Sequence, residues 1–271
     1  LLEDRIMAHV AGHFDSSSSL AAAPQVRRVP TAQCLVWLQR GWADLRRMPA
    51  LSLGCGALVA LAGVLLLVVS RQVTYLTPAL IGGFALVAPF VASVFYALSR
   101  QLEQGETPDL MAALGTLRRN PGALALFGLV LTLGMMIWAR TCALTFALFY
   151  DGVVPDLTHP FTDLLFSGYY TGLLLAFLAI GTLIASVVFA LGVITAPMLI
   201  DRDRTDVFSA MLTSLRCCAD NPAAAALWAG VIAALTLLGF ATLMLGLIVI
   251  FPLLGHASWH AYRELVAESD E

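Results

Sequence analysis

Arg46-Arg47-Met48-Pro49 leads into Ala50-Leu51-Ser52-Leu53-Gly54-Cys55-Gly56-Ala57-Leu58-Val59-Ala60-Leu61-Ala62-Gly63-Val64-Leu65-Leu66-Leu67. This run carries no charge over roughly the 18 residues that read as a bilayer-spanning helix. The plan recurs twice. Arg118-Arg119-Asn120-Pro121 and Asp220-Asn221-Pro222 each precede a comparable Ala/Gly/Leu-rich run, and each follows a short amphipathic segment. Self-similarity of this kind marks a repeat. The expected fold is all-α: a polytopic membrane helix bundle of six transmembrane helices in three parallel repeats, each an amphipathic helix plus a hairpin. The spans are read at 50–70, 76–99, 121–143, 171–198, 222–240 and 241–260. The last two share one long apolar run, about twice the bilayer core if it were a single helix, so a hairpin turning near Gly239 is expected. Since every unit contributes two spans, successive units enter from the same side, unlike inverted transporter repeats.

Composition agrees with this solvent. Of 271 residues, 59% are hydrophobic and 12% charged, with a mean hydropathy of +0.85, which is about half the charge of a soluble domain. A net charge of −3 gives no argument for nucleic acid. Residues 1–31 are polar, with the linker-like Ser16-Ser17-Ser18-Ser19, and show no cleavable signal, so the first span is expected to serve as the insertion signal. Residues 32–266 form the membrane domain and 267–271 an acidic tail.

Arginine sets the orientation. Arg5, Arg27, Arg28, Arg40, Arg46, Arg47, Arg100, Arg118, Arg119, Arg202, Arg204, Arg216 and Arg263 fall on one side of the expected topology. Only Arg71 and Arg140 fall on the other, with Asp151, Asp156 and Asp163. By the positive-inside rule both termini are cytoplasmic, and the expected location is the bacterial inner membrane.

The short segments carry their own signals. Thr107-Pro108-Asp109 reads as an N-cap, a first-turn proline and an acid suited to the helix dipole, followed by Leu110, Met111, Leu114 and Leu117, giving a helix over 107–119. Thr205-Asp206 opens a second over 205–218 with Phe208, Met211, Leu212 and Leu215, and 32–46 carries Leu35, Leu38, Trp42 and Leu45. Each stripe either lies on the lipid with Arg at the headgroups or packs on the ends of the spans.

Candidate chemistry is sparse. Arg140 is the one ionisable group well inside a span and reads as an anchor near its outer end. The five cysteines, Cys34, Cys55, Cys142, Cys217 and Cys218, form no disulfide framework. No nucleotide-binding loop, nucleophile elbow or EF-hand pattern is present. Two histidine pairs stand out. His9 with His13, and His256 with His260, are spaced i,i+4, which puts both imidazoles on one helical face as a metal or haem site requires. No cofactor is expected on the first reading. On the alternative, haem or a transition metal is held by His256 and His260, with His9 and His13 completing the set.

The runs Ala196-Pro197-Met198-Leu199-Ile200-Asp201-Arg202-Asp203, Ala210-Met211-Leu212-Thr213-Ser214-Leu215-Arg216, Asn221-Pro222 and Phe251-Pro252-Leu253-Leu254-Gly255-His256-Ala257-Ser258-Trp259-His260-Ala261-Tyr262-Arg263 resemble the bacterial integral-membrane family labelled domain of unknown function (DUF) 2189, from about Val29 to Val266. The resemblance implies a six-span inner-membrane protein without an established activity, some of whose relatives carry a cytochrome c oxidase subunit label. It carries over no catalytic residues. A catalytic oxidase subunit would need several histidines at mid-membrane depth, which the spans lack. The expected function is therefore non-catalytic: an accessory, assembly or scaffold subunit in the lipid bilayer, bound to other integral membrane proteins, respiratory oxidase subunits among them. The alternatives are a small-solute transporter or channel, using Pro78, Pro89 and Pro197 to open a path, or a haem- or metal-binding membrane protein.

Overall fold

The computed structural model describes residues 24–70, 77–149, 171–203 and 205–267. Among these, regular structure is helical apart from one antiparallel bridge, Val26 with Val266. The helices are α1 (Gln33–Arg47), α2 (Pro49–Ser70), α3 (Thr77–Val91), α4 (Ser93–Glu103), α5 (Leu110–Thr116), α6 (Pro121–Phe149), α7 (Thr171–Gly192), α8 (Thr195–Asp201), α9 (Val207–Asp220), α10 (Pro222–Ala241) and α11 (Leu247–Leu265). The all-α polytopic bundle expected from the sequence is what forms.

Proline punctuates it. Pro49, Pro121 and Pro222 are the first residues of α2, α6 and α10, where a missing N–H costs nothing. Proline also disfavours helical geometry in the residue before it. Met48 (φ −134°, ψ 58°) and Asn221 (φ −129°, ψ 52°) accordingly adopt nearly the same non-helical conformation, which ends α1 and α9. Prolines in the second arms act differently. Pro89 lies inside α3 just before the break at Ala92, and Pro197, which cannot donate to the Val193 carbonyl, follows the break between α7 and α8.

Among the described residues, five helical stretches are long and apolar enough to cross a membrane: Pro49–Ser70, Ala79–Glu103, Pro121–Leu148, Thr171–Asp201 and Pro222–Ala241. The sixth expected span, 241–260, is not among them: its helix, α11, differs in kind. Its second half carries His256, His260, Arg263 and Glu264, and it is buried along most of its length. It packs against α1, α2 and α4 through glycine. A methyl on Gly41 would meet the Ala257 backbone N at 2.6 Å, one on Gly255 would meet Phe95 Cβ at 2.7 Å, and one on Gly56 would collide with the Ile248 carbonyl. Close approach of this kind is how helices associate where lipid removes the hydrophobic drive.

The hairpin expected near Gly239 turns three residues later. The Leu243 N–H donates to Phe240 O at 2.9 Å and the Met244 N–H to Gly239 O at 3.1 Å, which is the paired closure of a helix C-terminus usually built on glycine. Here Leu243 (φ 53°) and Met244 (φ 71°) take the left-handed conformation instead, and buried Met244 packs beside Ala60 and Leu247. Gly239 leaves room for Leu247.

One cap assignment is corrected. Asp109, not Thr107, caps α5, accepting from the Met111 N–H at 2.8 Å. Gln101 accepts from the Asp109 N–H at 2.9 Å and donates to its carbonyl at 3.2 Å, which ties the cap residue to α4. α9 opens at Thr205-Asp206 as expected, with Asp206 capping it by accepting from the Ser209 N–H at 2.9 Å.

The densest core is not at mid-membrane. The largest fully buried side chains include Trp37, Phe95, Leu98, Met198, Leu199, Trp228, Trp259 and Tyr262. Most of these come from α1 and the ends of α4, α8 and α11, the Arg-rich end of the bundle.

Candidate functional site

At that end, α1, α2, α4 and α11 enclose a chain of polar side chains. His256 is fully buried; its Nε2 lies 3.0 Å from Ser52 Oγ and its Nδ1 lies 2.8 Å from Ser99 Oγ. The Ser99 hydroxyl donates to Asp44 Oδ2 at 2.9 Å, and His260 Nε2 reaches the same oxygen at 2.8 Å. A hydroxyl has one proton. Since Ser99 gives its proton to Asp44, it accepts from the Nδ1–H of His256, so Nε2 is left to accept from Ser52. The network assigns the tautomer and satisfies every member.

Helix spacing explains the convergence. His256 and His260 lie one turn apart on the buried face of α11, and Asp44, the only acid in α1, is turned inward at 5% exposure. Phe95 closes the remaining side of His256, ring edge to face at 5.4 Å. The i,i+4 spacing therefore links both imidazoles to Asp44, His260 directly and His256 through the Ser99 hydroxyl. It does not leave the His256 ring a free lone pair, because Ser52 occupies it. Among the described residues no group of three or more His, Cys, Asp or Glu is arranged to hold a metal ion. His9 and His13 lie outside the described residues.

A second cluster joins the ends of the three second arms. α4 supplies Arg100 and Glu103, α8 supplies Asp201, and α11 supplies Trp259, Tyr262 and Arg263. Tyr262 donates to Asp201 at 2.7 Å and Trp259 to Glu103 at 2.9 Å. Arg263 pairs with Glu103 at 3.0 Å and with Asp201 at 3.5 Å, and Arg100 pairs with Asp201 at 3.3 Å. Trp37 of α1 donates to Glu264 at 2.8 Å. The backbone completes the closure: Arg27 N–H donates to Leu265 O at 2.8 Å, Ala267 N–H to Gln25 O at 2.9 Å, and Asn221 Oδ1 accepts from the Val29 N–H at 2.8 Å.

Hydroxyl, imidazole and carboxylate in series have the composition of an acid–base relay. Here Ser52 and His256 are fully buried and Ser99 nearly so, so no substrate reaches them in this conformation. A cleft of about 380 Å³ lies elsewhere, between Asn120, Ala123, Leu126, Asp203, Thr205, Val207 and Phe208. A small cavity of about 20 Å³ sits among Trp37, Ile194, Cys217 and Trp228.

Of the residues the sequence singled out, His256 and His260 come together. Arg140 is exposed on α6, and the Asp151–Asp163 loop lies outside the described residues. Asp44, Ser52 and Ser99 drew no notice in the sequence. A lone acid in an Arg-bearing helix was the available signal for Asp44; a serine among apolar residues carries none.

Residues 76–201 match the model of the family described as predicted integral membrane protein (DUF2189). No curated protein and no solved structure matches the chain. Ser99, Arg100, Glu103 and Asp201 lie within the matched stretch, whereas Asp44, Ser52, His256 and His260 lie outside it. The chain is a multi-pass integral membrane protein.

Proposed function

We propose that the protein is a non-catalytic subunit of the bacterial inner membrane, an accessory, assembly or scaffold component that binds other integral membrane proteins, with its Arg-rich end and both termini in the cytoplasm. The observation that carries this reading is how the two kinds of surface are divided. The polar side chains buried at the Arg-rich end bond to one another rather than lining a passage. The second hairpin, by contrast, leaves its apolar face uncovered. Only 6% of the most apolar window of Thr171–Asp201 is buried within the chain, and Leu175, Leu178, Leu183 and Val187 all point outward. Such a face suits another subunit's helix, with lipid as the alternative cover. Respiratory oxidase subunits are the partners to which the resemblance points.

Photo-crosslinking from Leu178 and Leu183 in native membranes, followed by mass spectrometry, tests this. A recurrent membrane-protein adduct at both positions is the expected result. Lipid adducts alone would remove the scaffold reading. Elemental analysis and an absorption spectrum of the purified protein test the haem or metal alternative. Side-specific labelling of Arg118→Cys tests the orientation, the cytoplasmic reagent being the one expected to react.

A further inference from the structure

The three short helices at the Arg-rich end leave large apolar side chains uncovered. α9 buries Val207 with the small or hydroxyl-bearing Ala210, Thr213, Ser214 and Cys217, and exposes Phe208 (69%), Leu212 and Leu215. α5 buries Ala113 and exposes Met111 (76%) and Leu114. α1 buries Trp37, Asp44 and Leu45 and exposes Leu35 (63%) and Trp42. In water this arrangement exposes the groups that burial stabilises most. It becomes favourable only where the surroundings are apolar.

The depth of these helices is fixed by the chain. α1 is separated from the span α2 by Met48 alone, α9 from α10 by Asn221 alone, and α5 from α6 by 117–120. They therefore lie where the spans leave the hydrocarbon, at the level of the headgroups.

Charge then selects the headgroup. Arg40, Arg46 and Arg47 are exposed on α1, and its single acid, Asp44, is buried. The Arg46 guanidinium lies over the Trp42 ring, 5.9 Å from its centroid, so cation and interfacial aromatic occupy one place. Arg118 and Arg119, in the segment after α5, and Arg216 of α9 are exposed as well, though Asp203 lies 3.9 Å from Arg119 and Asp220 follows Arg216 by one turn. α1 is thus the element whose exposed charge is of one sign.

We infer that α1 is a binding surface for anionic phospholipid: its arginines take the lipid phosphates, and Leu35 and Trp42 insert beside the acyl chains, with the outward faces of α5 and α9 extending the same collar. Arginine suits this role because its planar fork meets phosphate oxygens two at a time.

The test uses the full chain in nanodiscs of phosphatidylcholine mixed with phosphatidylglycerol, with retained lipid counted by native mass spectrometry after transfer to detergent. Wild-type protein should hold phosphatidylglycerol in preference to phosphatidylcholine, and added salt should weaken the preference. The triple variant Arg40→Gln/Arg46→Gln/Arg47→Gln should lower it by about tenfold or more, since one basic residue at an anionic surface contributes roughly fivefold. Replacing the same arginines by Lys should retain most of the preference, and circular dichroism identifies any variant that has lost its fold. Phosphatidylcholine and phosphatidylglycerol retained alike by the wild type would overturn the inference, as would a preference that the folded Gln variant keeps. A co-purified protein covering Leu35 and Trp42 that lipid does not displace would overturn it too.

Discussion

Ser52 and His256 lie 204 positions apart in the chain and meet at 3.0 Å inside it, hydroxyl to imidazole Nε2. Through this contact α2 and α11 share one polar core. Because Ser99 and Asp44 continue the chain of bonds, a change at any member reaches four helices. Its effect should be large where it leaves a buried partner without a bond.

Asp44 is the member with most to lose. Asp44→Ala strips the acceptor from both Ser99 and His260, and a loss of about 3 kcal/mol is expected. Asp44→Asn keeps an acceptor oxygen and should cost about 1 kcal/mol. Chemical denaturation in detergent, followed by circular dichroism, ranks the two. Equal losses would mean that the network contributes no more than its packing volume.

Glycine should divide by position rather than by number. Gly41→Ala and Gly56→Ala push a methyl into the backbone of α11 and should destabilise by about 1–3 kcal/mol each. Gly230→Ala, with nothing within 4 Å of the added carbon, should be neutral or stabilise by up to about 1 kcal/mol. Thermal unfolding of the three variants side by side gives the comparison.

The turn between α10 and α11 holds a left-handed leucine. Leu243→Gly removes the steric cost of φ 53°, about 1 kcal/mol, and sacrifices little packing because Leu243 is 71% exposed. A raised unfolding midpoint is expected. The same substitution at Met244 should show a loss, since that side chain is buried.

The Asp206 cap gives a pH signature. The Ser209 hydrogen bonds, from the side chain first and then the backbone, favour the carboxylate and hold its pKa below the usual 3.8. A group depressed on folding contributes stability that is complete above its unfolded pKa and disappears as pH falls through the folded one. The protection of the Phe208 and Ser209 amides against exchange, relative to the unstructured chain at the same pH, should therefore fall only below about pH 4. Asp206→Ala should show low protection at every pH, at a cost of about 1 kcal/mol, whereas Asp206→Asn should keep its protection in acid.

What the sequence made legible follows from how local each signal is. Pro49, Pro121 and Pro222 announce their helices because proline acts on its immediate neighbours, and the apolar runs after them announce spans by length alone. The Thr205-Asp206 opening is legible for the same local reason, whereas Thr107 and Asp109 both suit a cap and only geometry decides for Asp109. The turn at Leu243 was displaced toward Gly239 because glycine is the usual left-handed residue and neither Leu nor Met signals that conformation. In α7, Gly181 with Ala185 reads as a packing seam. A methyl on Gly181 would meet the Trp138 ring at 3.1 Å, but Ala185 is exposed, so the seam is one residue deep. The candidate site was half legible. The spacing of His256 and His260 put both on one face, but their meeting with Asp44 depends on a contact spanning most of the chain, which no local pattern encodes.

The helix at the centre of the bundle is made after every helix it packs against. During synthesis α1 and α2 enter the membrane long before α11 exists, so the seats at Gly41 and Gly56 stand empty and Asp44 waits without His260. Until α11 arrives, the earlier spans are held by their outer contacts alone. Chains cut before Leu247 should therefore insert but stay loose, and a quality-control protease would meet in them the buried carboxylate and hydroxyls that the finished protein hides.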